Sequence, residues 1–416
     1  MENINSWKDI HWSAIEKNVF RLQFRIYKAA VNQEFKKMYK IQKLLLSSQS
    51  AKYFSVKRVT HNNQGLIKIL TIKDRSKQML VYLALCPQWE AEFEAENYMF
   101  RPKRSKLDAI DATFFEIYRN PKWVLNAEIL KSFDQINHKY LLEKCNTFPE
   151  LSQKIQVYLK SGILDDKKYI FSEQYTPLSC LLLNIVLHRL GKRIEAYIKS
   201  VNGQCFSLKI IYHINNFIFL YPDQKVLKSI KKIILKFLES IGVELNLKKM
   251  QLTHTLTPGF TFFGFNLFHQ TKWVKVEKRI KNYYANLQFI SIITLSKKSL
   301  KKHKLQIREI IQYYRGASQE RLIQKLNPVI LNWGLSKPIQ LSSKTFQSLD
   351  QFVFLHLWKW VKSRHPMMSN YRLKKKYWHH VGMKNWVFGV KIKSEILFQL
   401  QLYSKIPIRL IRLSEE

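Results

Sequence analysis

The side chains able to do chemistry in this 416-residue chain are mostly cationic. Lysine and arginine number 70 against 30 aspartates and glutamates, a net charge of +40. Their spacing is patterned. Lys17, Arg21, Arg25 and Lys28 recur at three- and four-residue intervals, which puts them on one helical face. Like charges four apart repel, so this stripe is either a well-solvated face or a track for an anionic partner. Lys57 and Arg58 continue the basic trend. A second run holds Lys297, Lys298, Lys301 and Lys302, followed by Arg308 and Lys325. Between Lys297 and Lys376 there are 18 lysines and arginines against three acids, Glu309, Glu320 and Asp350. The segment Trp358-Lys359-Trp360-Val361-Lys362-Ser363-Arg364-His365-Pro366 interleaves cations with aromatics. Arginine pairs with phosphate and tryptophan stacks on unpaired bases. Lys362, Arg364 and His365, then Arg372 and Lys374, are therefore the phosphate contacts expected here. Phe354, Leu357, Trp358 and Val361 sit at helical spacing and are assigned to the core, and Trp333 to packing.

Other chemistries have less to stand on. Cys86, Cys145, Cys180 and Cys205 are far apart and form no Cys-x-x-Cys pair, so a disulfide framework or cysteine zinc site is not expected. His365, His379 and His380 lack zinc-ligand spacing. There is no Gly-x-Ser-x-Gly elbow and no glycine-rich phosphate loop. The chain is 46% hydrophobic and 13% aromatic, enough for a large core, which excludes wholesale disorder. It has no apolar run of ~18 residues, so no membrane span is expected. A polyanionic partner is expected instead, nucleic acid first and an anionic membrane surface last. The N-terminal residues show no apolar signal region and carry Glu2 and Asp9, which transit peptides avoid. The abundance of lysine, isoleucine, asparagine, phenylalanine and tyrosine, with only 11 glycines and 11 prolines, fits an AT-rich genome. An organelle is expected, plastid ahead of mitochondrion.

Periodicity supplies the supporting elements. Residues 13–46 read as two helices, the first with Ile15, Val19, Leu22 and Ile26 on its apolar face. Residues 76–96 and 177–200 read as helices, and residues 123–129 as a strand. Two β-rich runs, Leu208 to Tyr212 and Phe217 to Tyr221, flank the polar break His213-Ile214-Asn215-Asn216, a hairpin pattern. A helix over 225–241 has Val226, Ile230, Ile233, Phe237 and Ile241 on one face and Gly242 as its C-terminal stop. Beyond about residue 290 the pattern is mainly helical. Strand, helix, hairpin and helix in that order give an α+β sheet domain.

Four stretches together resemble the group II intron-encoded reverse transcriptase/maturase family. Trp12 to Gly65, with Arg58-Val59-Thr60-His61-Asn62-Asn63, is similar to its N-terminal RNA-binding extension. Lys73 to Gln78, Pro87-Gln88-Trp89-Glu90-Ala91 and Phe100 to Ser105 resemble its fingers. Phe133-Asp134-Gln135-Ile136-Asn137-His138 and Gly259-Phe260-Thr261-Phe262-Phe263-Gly264-Phe265 resemble palm landmarks. Leu326-Asn327-Pro328-Val329-Ile330, Trp333, Phe346, Leu349-Asp350 and Trp358 to Pro366 resemble its maturase domain X.

The resemblance implies a right-hand polymerase-like core, and the chain departs from it where the metals belong. Active members hold two Mg²⁺ ions on one aspartate of the first palm strand and an aspartate pair at a hairpin turn. Here those positions fall on Glu128, Asn215 and Asn216. The family's Pro-Gln-Gly-Gly turn falls on Glu173-Gln174-Tyr175-Thr176, and the segment between Gly65 and Lys68 is shorter than in the family. Asp134 lies beyond the metal position and is assigned to palm packing or a helix cap. Asn215-Asn216 can still close a hairpin, because asparagine tolerates positive φ.

The expected organisation is a helical RNA-binding extension over 1–65, a degenerate fingers and palm domain over 66–285, and a thumb with maturase domain over 286–416. The expected function is to bind group II intron RNA and stabilise its active fold. The Mg²⁺ chemistry then belongs to the RNA, and the protein holds no cofactor and is not an enzyme in the usual sense. Two alternatives stay open, an active reverse transcriptase of a mobile intron and a general RNA-binding protein. Host splicing factors and a homodimer are also open.

Overall fold

The structure is a computed structural model that describes residues 7, 10–61, 71–98, 101–118, 120–131, 136–160, 176–202, 208–213, 216–271, 289–335, 343–381, 384–392 and 395–406. The chain forms two compact units, Met1–Ala109 with Lys122–Leu252, and Ile110–Pro121 with Thr253–Glu416.

The first unit begins with helices α1 (Trp12–Val31), α2 (Phe35–Ser47), α3 (Gln49–His61) and α4 (Ile72–Glu90). In α1, Val19, Leu22, Ile26, Ala29 and Ala30 face inward. They pack with Met38, Ile41 and Leu45 of α2, Ala51 of α3 and Met79, Leu83 and Ala84 of α4. Ile15, expected on that face, is only half-buried. Buried amides fix the packing: Gln42 donates to the Ala84 carbonyl at 3.1 Å and to Gln88 Oε1 at 2.8 Å.

Helix α4 starts earlier and stops sooner than the expected 76–96. Thr71 caps its start, accepting from the Asp74 N–H. Its end is set by Arg101, whose guanidinium meets both Glu90 carboxylate oxygens and donates to the Glu94 and Asn97 carbonyls at 2.6 and 3.2 Å. Those bonds satisfy carbonyls of a turn in place of a further helical turn.

Next come α5 (Lys106–Tyr118), which straddles the division between units, β1 (Trp123–Lys131), α6 (His138–Cys145), α7 (Pro149–Lys160), α8 (Pro177–Leu187) and α9 (Leu190–Asn202). The single helix expected over 177–200 is thus two. The break lies at His188 and Arg189, the latter at φ 68°. Lys144 caps the end of α8 by donating to the Val186 and His188 carbonyls at 2.9 and 2.7 Å. Burial pulls the Lys144 ammonium down to about 8. Glu94 accepts the Arg189 N–H at 3.0 Å and lies 3.2 Å from His188 Nδ1. Burial pushes the Glu94 carboxyl up, but the hydrogen bond and charge of His188 outweigh it and hold the group at about 2.

The unit continues with β2 (Lys209–His213), β3 (Asn216–Tyr221), α10 (Gln224–Ser240) and β4 (Glu244–Leu245), and ends within β5 (Gln251–His254), which straddles the division. The sheet path is β2-β3-β1-β4, with each neighbour along it antiparallel. His213 and Asn216, expected within a break, are paired strand residues. Residues 214 and 215 lie outside the described ones. Helix α10 buries Leu227, Ile230, Ile234, Phe237 and Leu238. The expected Val226 and Ile233 are half-buried, because the contact face is rotated toward Leu227 and Ile234. Gly242 follows at φ 75°, the expected left-handed stop.

The second unit holds an antiparallel sheet of β6 (Phe260–Phe262), β7 (Phe265–Thr271) and β8 (Phe289–Leu295). Gly259, at φ +78°, precedes it; a Cβ there would lie 2.5 Å from the Phe268 Cβ and 2.6 Å from the Leu267 carbonyl. Helices α11 (Lys297–Tyr313), α12 (Gln319–Leu335), α13 (Ser343–Arg364) and α14 (Asn370–Tyr377) follow. A second sheet of β9 (Trp378–Val381), β10 (Lys384–Ile392) and β11 (Glu395–Gln399) corrects the expectation of a helical C-terminal domain. Its Trp378 and Phe388 rings pack 5.1 Å apart in the same core as Leu357, Trp360 and Val361 of α13. Asp350 on α13 accepts the backbone N–H groups of Tyr403 and Ser404, at 2.7 and 3.1 Å. His303 stacks on Trp333 at 4.2 Å and meets the Tyr403 hydroxyl at 2.5 Å. Trp333 is therefore packing, as expected. Phe354, assigned to the core, is exposed; it stacks on Trp358, which is half-buried against Trp378.

Glu94 makes stability depend on acidity. Its folded value, about 2, lies below its ordinary 4.5, so its contribution is present above pH 4.5 and fades as pH falls toward 2. The urea midpoint of the wild-type chain should drop between pH 5 and pH 3. In Glu94→Gln the midpoint should be lower at pH 5 and the drop smaller.

Candidate polymerase centre and nucleic-acid interface

Strand β1 places the first candidate. Its register pairs Glu128 with Asn216 across β3, and the Glu128 carbonyl accepts the Asn246 N–H at 2.7 Å. The chain then turns, with the Lys249 and Met250 N–H groups both bonding back to the Asn246 carbonyl at 3.0 Å. That turn brings Lys249 Nζ to 2.7 Å from Glu128 Oε2. The Glu128 side chain is 19% exposed and that of Lys249 is 48% exposed. Asn215, Asp134 and Glu173-Gln174-Tyr175 lie outside the described residues. Thr176 caps α8, accepting from the Ser179 N–H.

Two Mg²⁺ ions need several anionic oxygens converging on one point. Here Glu128 is engaged by an ammonium and its strand partner Asn216 is neutral. Among the described residues no three His, Cys, Asp or Glu side chains converge as a metal-ligand group. The described donor set does not fit a two-metal centre. The role of Lys249 is not legible in the sequence, because it depends on the β1–β3 register and the turn after Asn246, and a lysine beside Lys248 carries no signal of its own.

The basic residues divide by use. On α1, Lys17, Arg21, Arg25 and Lys28 are all exposed. On α3, Arg58 is exposed and lies 5.0 Å from the Phe54 ring. Lys57 is half-buried, pairing with Glu16 at 2.8 Å and lying 4.5 Å from the Trp12 ring. In the second unit Lys297, Lys298, Lys301, Lys302 and Arg308 are exposed on α11, whose opposite face buries His303, Ile307 and Ile311. Lys325 on α12, Lys362 near the end of α13 and Arg372 on α14 are exposed as well.

Three of the residues expected to meet phosphate are instead engaged within the fold. Arg364 donates to the Ala317 carbonyl and lies over the Trp360 ring at 4.5 Å. His365 Nε2 is 2.8 Å from the Tyr377 hydroxyl, and burial, then Lys376 and Arg364, lower its pKa. Lys374 Nζ sits 3.7 Å over the Trp386 ring.

Comparison with known proteins bears on the family. Residues 7–74 match the N-terminal domain of reverse transcriptase. Residues 57–273 match the reverse transcriptase (RNA-dependent DNA polymerase) family, and residues 300–378 the group II intron, maturase-specific domain. The chain belongs to the reverse transcriptase family, in its group II intron maturase form. It is 23% identical to maturase-like protein 1 of Euglena gracilis over 388 residues, covering 79% of this chain and 77% of that one. Maturase-like protein 1 of Euglena longa is 23% identical over 363 residues, covering 71% and 76%. Protein YkfC of Escherichia coli is 26% identical over 147 residues, covering 32% and 38%. The α+β reverse-transcriptase fold and the group II intron maturase function expected from the sequence are thereby met.

The Glu128–Lys249 pair can be checked by manganese titration followed by electron paramagnetic resonance. The wild-type chain should leave the free-ion signal intact. Asn215→Asp with Asn216→Asp and Lys249→Met, which adds two carboxylates and frees Glu128, should attenuate it. Attenuation by the wild-type chain at stoichiometric manganese would show that Lys249 does not fill the site.

Proposed function

We propose that this maturase acts as an RNA-binding splicing cofactor whose polymerase centre no longer supports DNA synthesis. The observation that carries this reading is the Glu128–Lys249 ion pair facing a neutral Asn216. A carboxylate neutralised from within offers little to a dication, so alignment of a 3′-hydroxyl with a triphosphate loses its electrostatic basis. The exposed cations of α1, α3, α11 and α12 remain suited to another task. They would neutralise phosphates over a wide footprint, which suits a folded RNA that offers backbone and shape more than readable base edges.

The bond-making steps then belong to the intron RNA and its own Mg²⁺. The protein contributes by binding the active RNA fold more tightly than its misfolded competitors, and shifts that equilibrium by the difference in binding free energy. The reading places the protein in an organelle, the plastid before the mitochondrion, with intron RNA as its partner. The composition supports the organelle.

In vitro splicing of a candidate intron at near-physiological Mg²⁺, alongside primer extension, tests the proposal. The chain should accelerate splicing and yield no extended product. Extension would instead favour an active polymerase, and equal binding to unrelated structured RNA a general RNA binder. Lys362→Glu should weaken intron binding and flatten its salt dependence. Each phosphate that is no longer neutralised should lower the log–log slope by about 0.7 to 0.9. Arg364→Glu should act differently, lowering the thermal midpoint because its guanidinium is bonded inside the fold.

A further inference from the structure

The outer face of α13 is apolar at its centre. Phe354 and Leu355 are 45% and 51% exposed, the exposed large apolar side chains among the described residues of that helix. Trp358, one turn past Phe354, is half-buried. Spacing of four sets two parallel rows on this face: Gln347, Gln351, Leu355 and Lys359 in one, Phe354 and Trp358 in the other. The groove between such rows is what a second helix packs into. Cations flank the face, Lys344 toward one end and Lys359 toward the other, both exposed. It carries no acid, because the one carboxylate of α13, Asp350, is turned to the Tyr403 and Ser404 N–H groups.

We propose that this face docks an acidic amphipathic helix of a partner protein, whose apolar side chains pack on Phe354, Leu355 and Trp358 and whose carboxylates meet Lys344 and Lys359. Apolar contact supplies the affinity, and the flanking charges choose the partner and its register. From Lys344 to Lys359 is about 22 Å along the axis, the length of a partner helix of about four turns. RNA suits the apolar centre less well. A base stacks on an open ring face. Leu355 has none, and Phe354 lies parallel to Trp358 at 6.1 Å while both rings tilt on Trp378, at 5.6 and 5.3 Å. A second copy docked through the same face would set its lysines against themselves in a protein of net charge +40. An interfacial helix sinks apolar residues into lipid over several turns. Here the turns on either side of Phe354 and Leu355 present Gln347, Ser348, Gln351 and Lys359.

This surface is independent of the RNA-binding reading, which uses Lys362 and the helices α1, α3, α11 and α12. The full chain is titrated with a fluorescent peptide of about 15 residues, built from leucine at helical spacing and glutamate elsewhere, and with a counterpart in which lysine replaces glutamate. Wild type should bind the acidic peptide saturably, more weakly as salt rises, and should not bind the basic one. Phe354→Ser with Leu355→Ser should lose about tenfold or more in affinity for the acidic peptide, with thermal midpoint and affinity for an RNA hairpin unchanged. Lys344→Glu with Lys359→Glu should weaken the acidic peptide and strengthen the basic one, a reversal that misfolding cannot mimic. The site is overturned if wild type does not bind the acidic peptide. It is overturned equally if the serine variant binds that peptide as tightly as wild type, since such binding follows net charge alone. If the serine variant loses hairpin affinity by the same factor, the face belongs to RNA and the proposal falls. Unchanged peptide affinity with loss of self-association, or of binding to anionic vesicles, would overturn it in favour of a second copy or a membrane.

Discussion

Strand β1 is hydrogen-bonded on both edges, to β3 and to β4, and this double pairing fixes everything near the palm centre. A strand paired on one edge can slip; one paired on both keeps its register, and a slip of one residue would turn each side chain to the opposite face. Glu128 is therefore held opposite Asn216, with its carbonyl tied to Asn246. The turn that starts at Asn246 then brings Lys249 against that carboxylate. The pair needs no ion from solution to stay neutral, so the sheet can keep its geometry whether or not the site ever meets a metal.

The same logic of internal compensation runs through a chain with a surplus of cations. Arg101, Lys144 and Arg364 are drawn inward, where each satisfies backbone carbonyls that a loop or a helix end would leave bare. Carboxylates are scarce, and several of them are similarly occupied: Glu90 by Arg101, Glu94 by His188, Glu128 by Lys249, and Asp350 by two backbone N–H groups. What remains on the surface is mostly positive. Self-repulsion of that surface is relieved by a polyanion, which joins the electrostatics of the fold to the function of an RNA-binding protein.

The sequence is legible where a pattern is local. The inward faces of α1 and α10 and the β2–β3 hairpin follow from side-chain period, with shifts of a residue or so. It is less legible where distant groups decide. Nothing near residue 188 announces that Lys144 and Glu94 will divide α8 from α9, and the end of α4 depends on Arg101, eleven residues past Glu90. The β9–β11 sheet escapes a periodicity reading because Trp378, Val387 and Phe388 sit among basic residues that read as helical surface. For the candidate sites, types and exposure are readable for α1 and α11. The diversion of Arg364, His365 and Lys374 into packing is not, since only the fold shows that Ala317, Tyr377 and Trp386 lie beside them.

The segment from Gly259 to Phe265 resembles a palm landmark of the family, and its first residue is one that the backbone can hardly exchange. Any side chain at Gly259 would run into β7, at a backbone angle that other residues rarely adopt. Steric necessity of that kind is indifferent to whether nucleotides are ever joined nearby. Such a stretch of chain is constrained by its own geometry, apart from any demand that chemistry makes. Where the backbone has no alternative, a residue reports the demands of the scaffold and leaves its chemistry to be judged elsewhere.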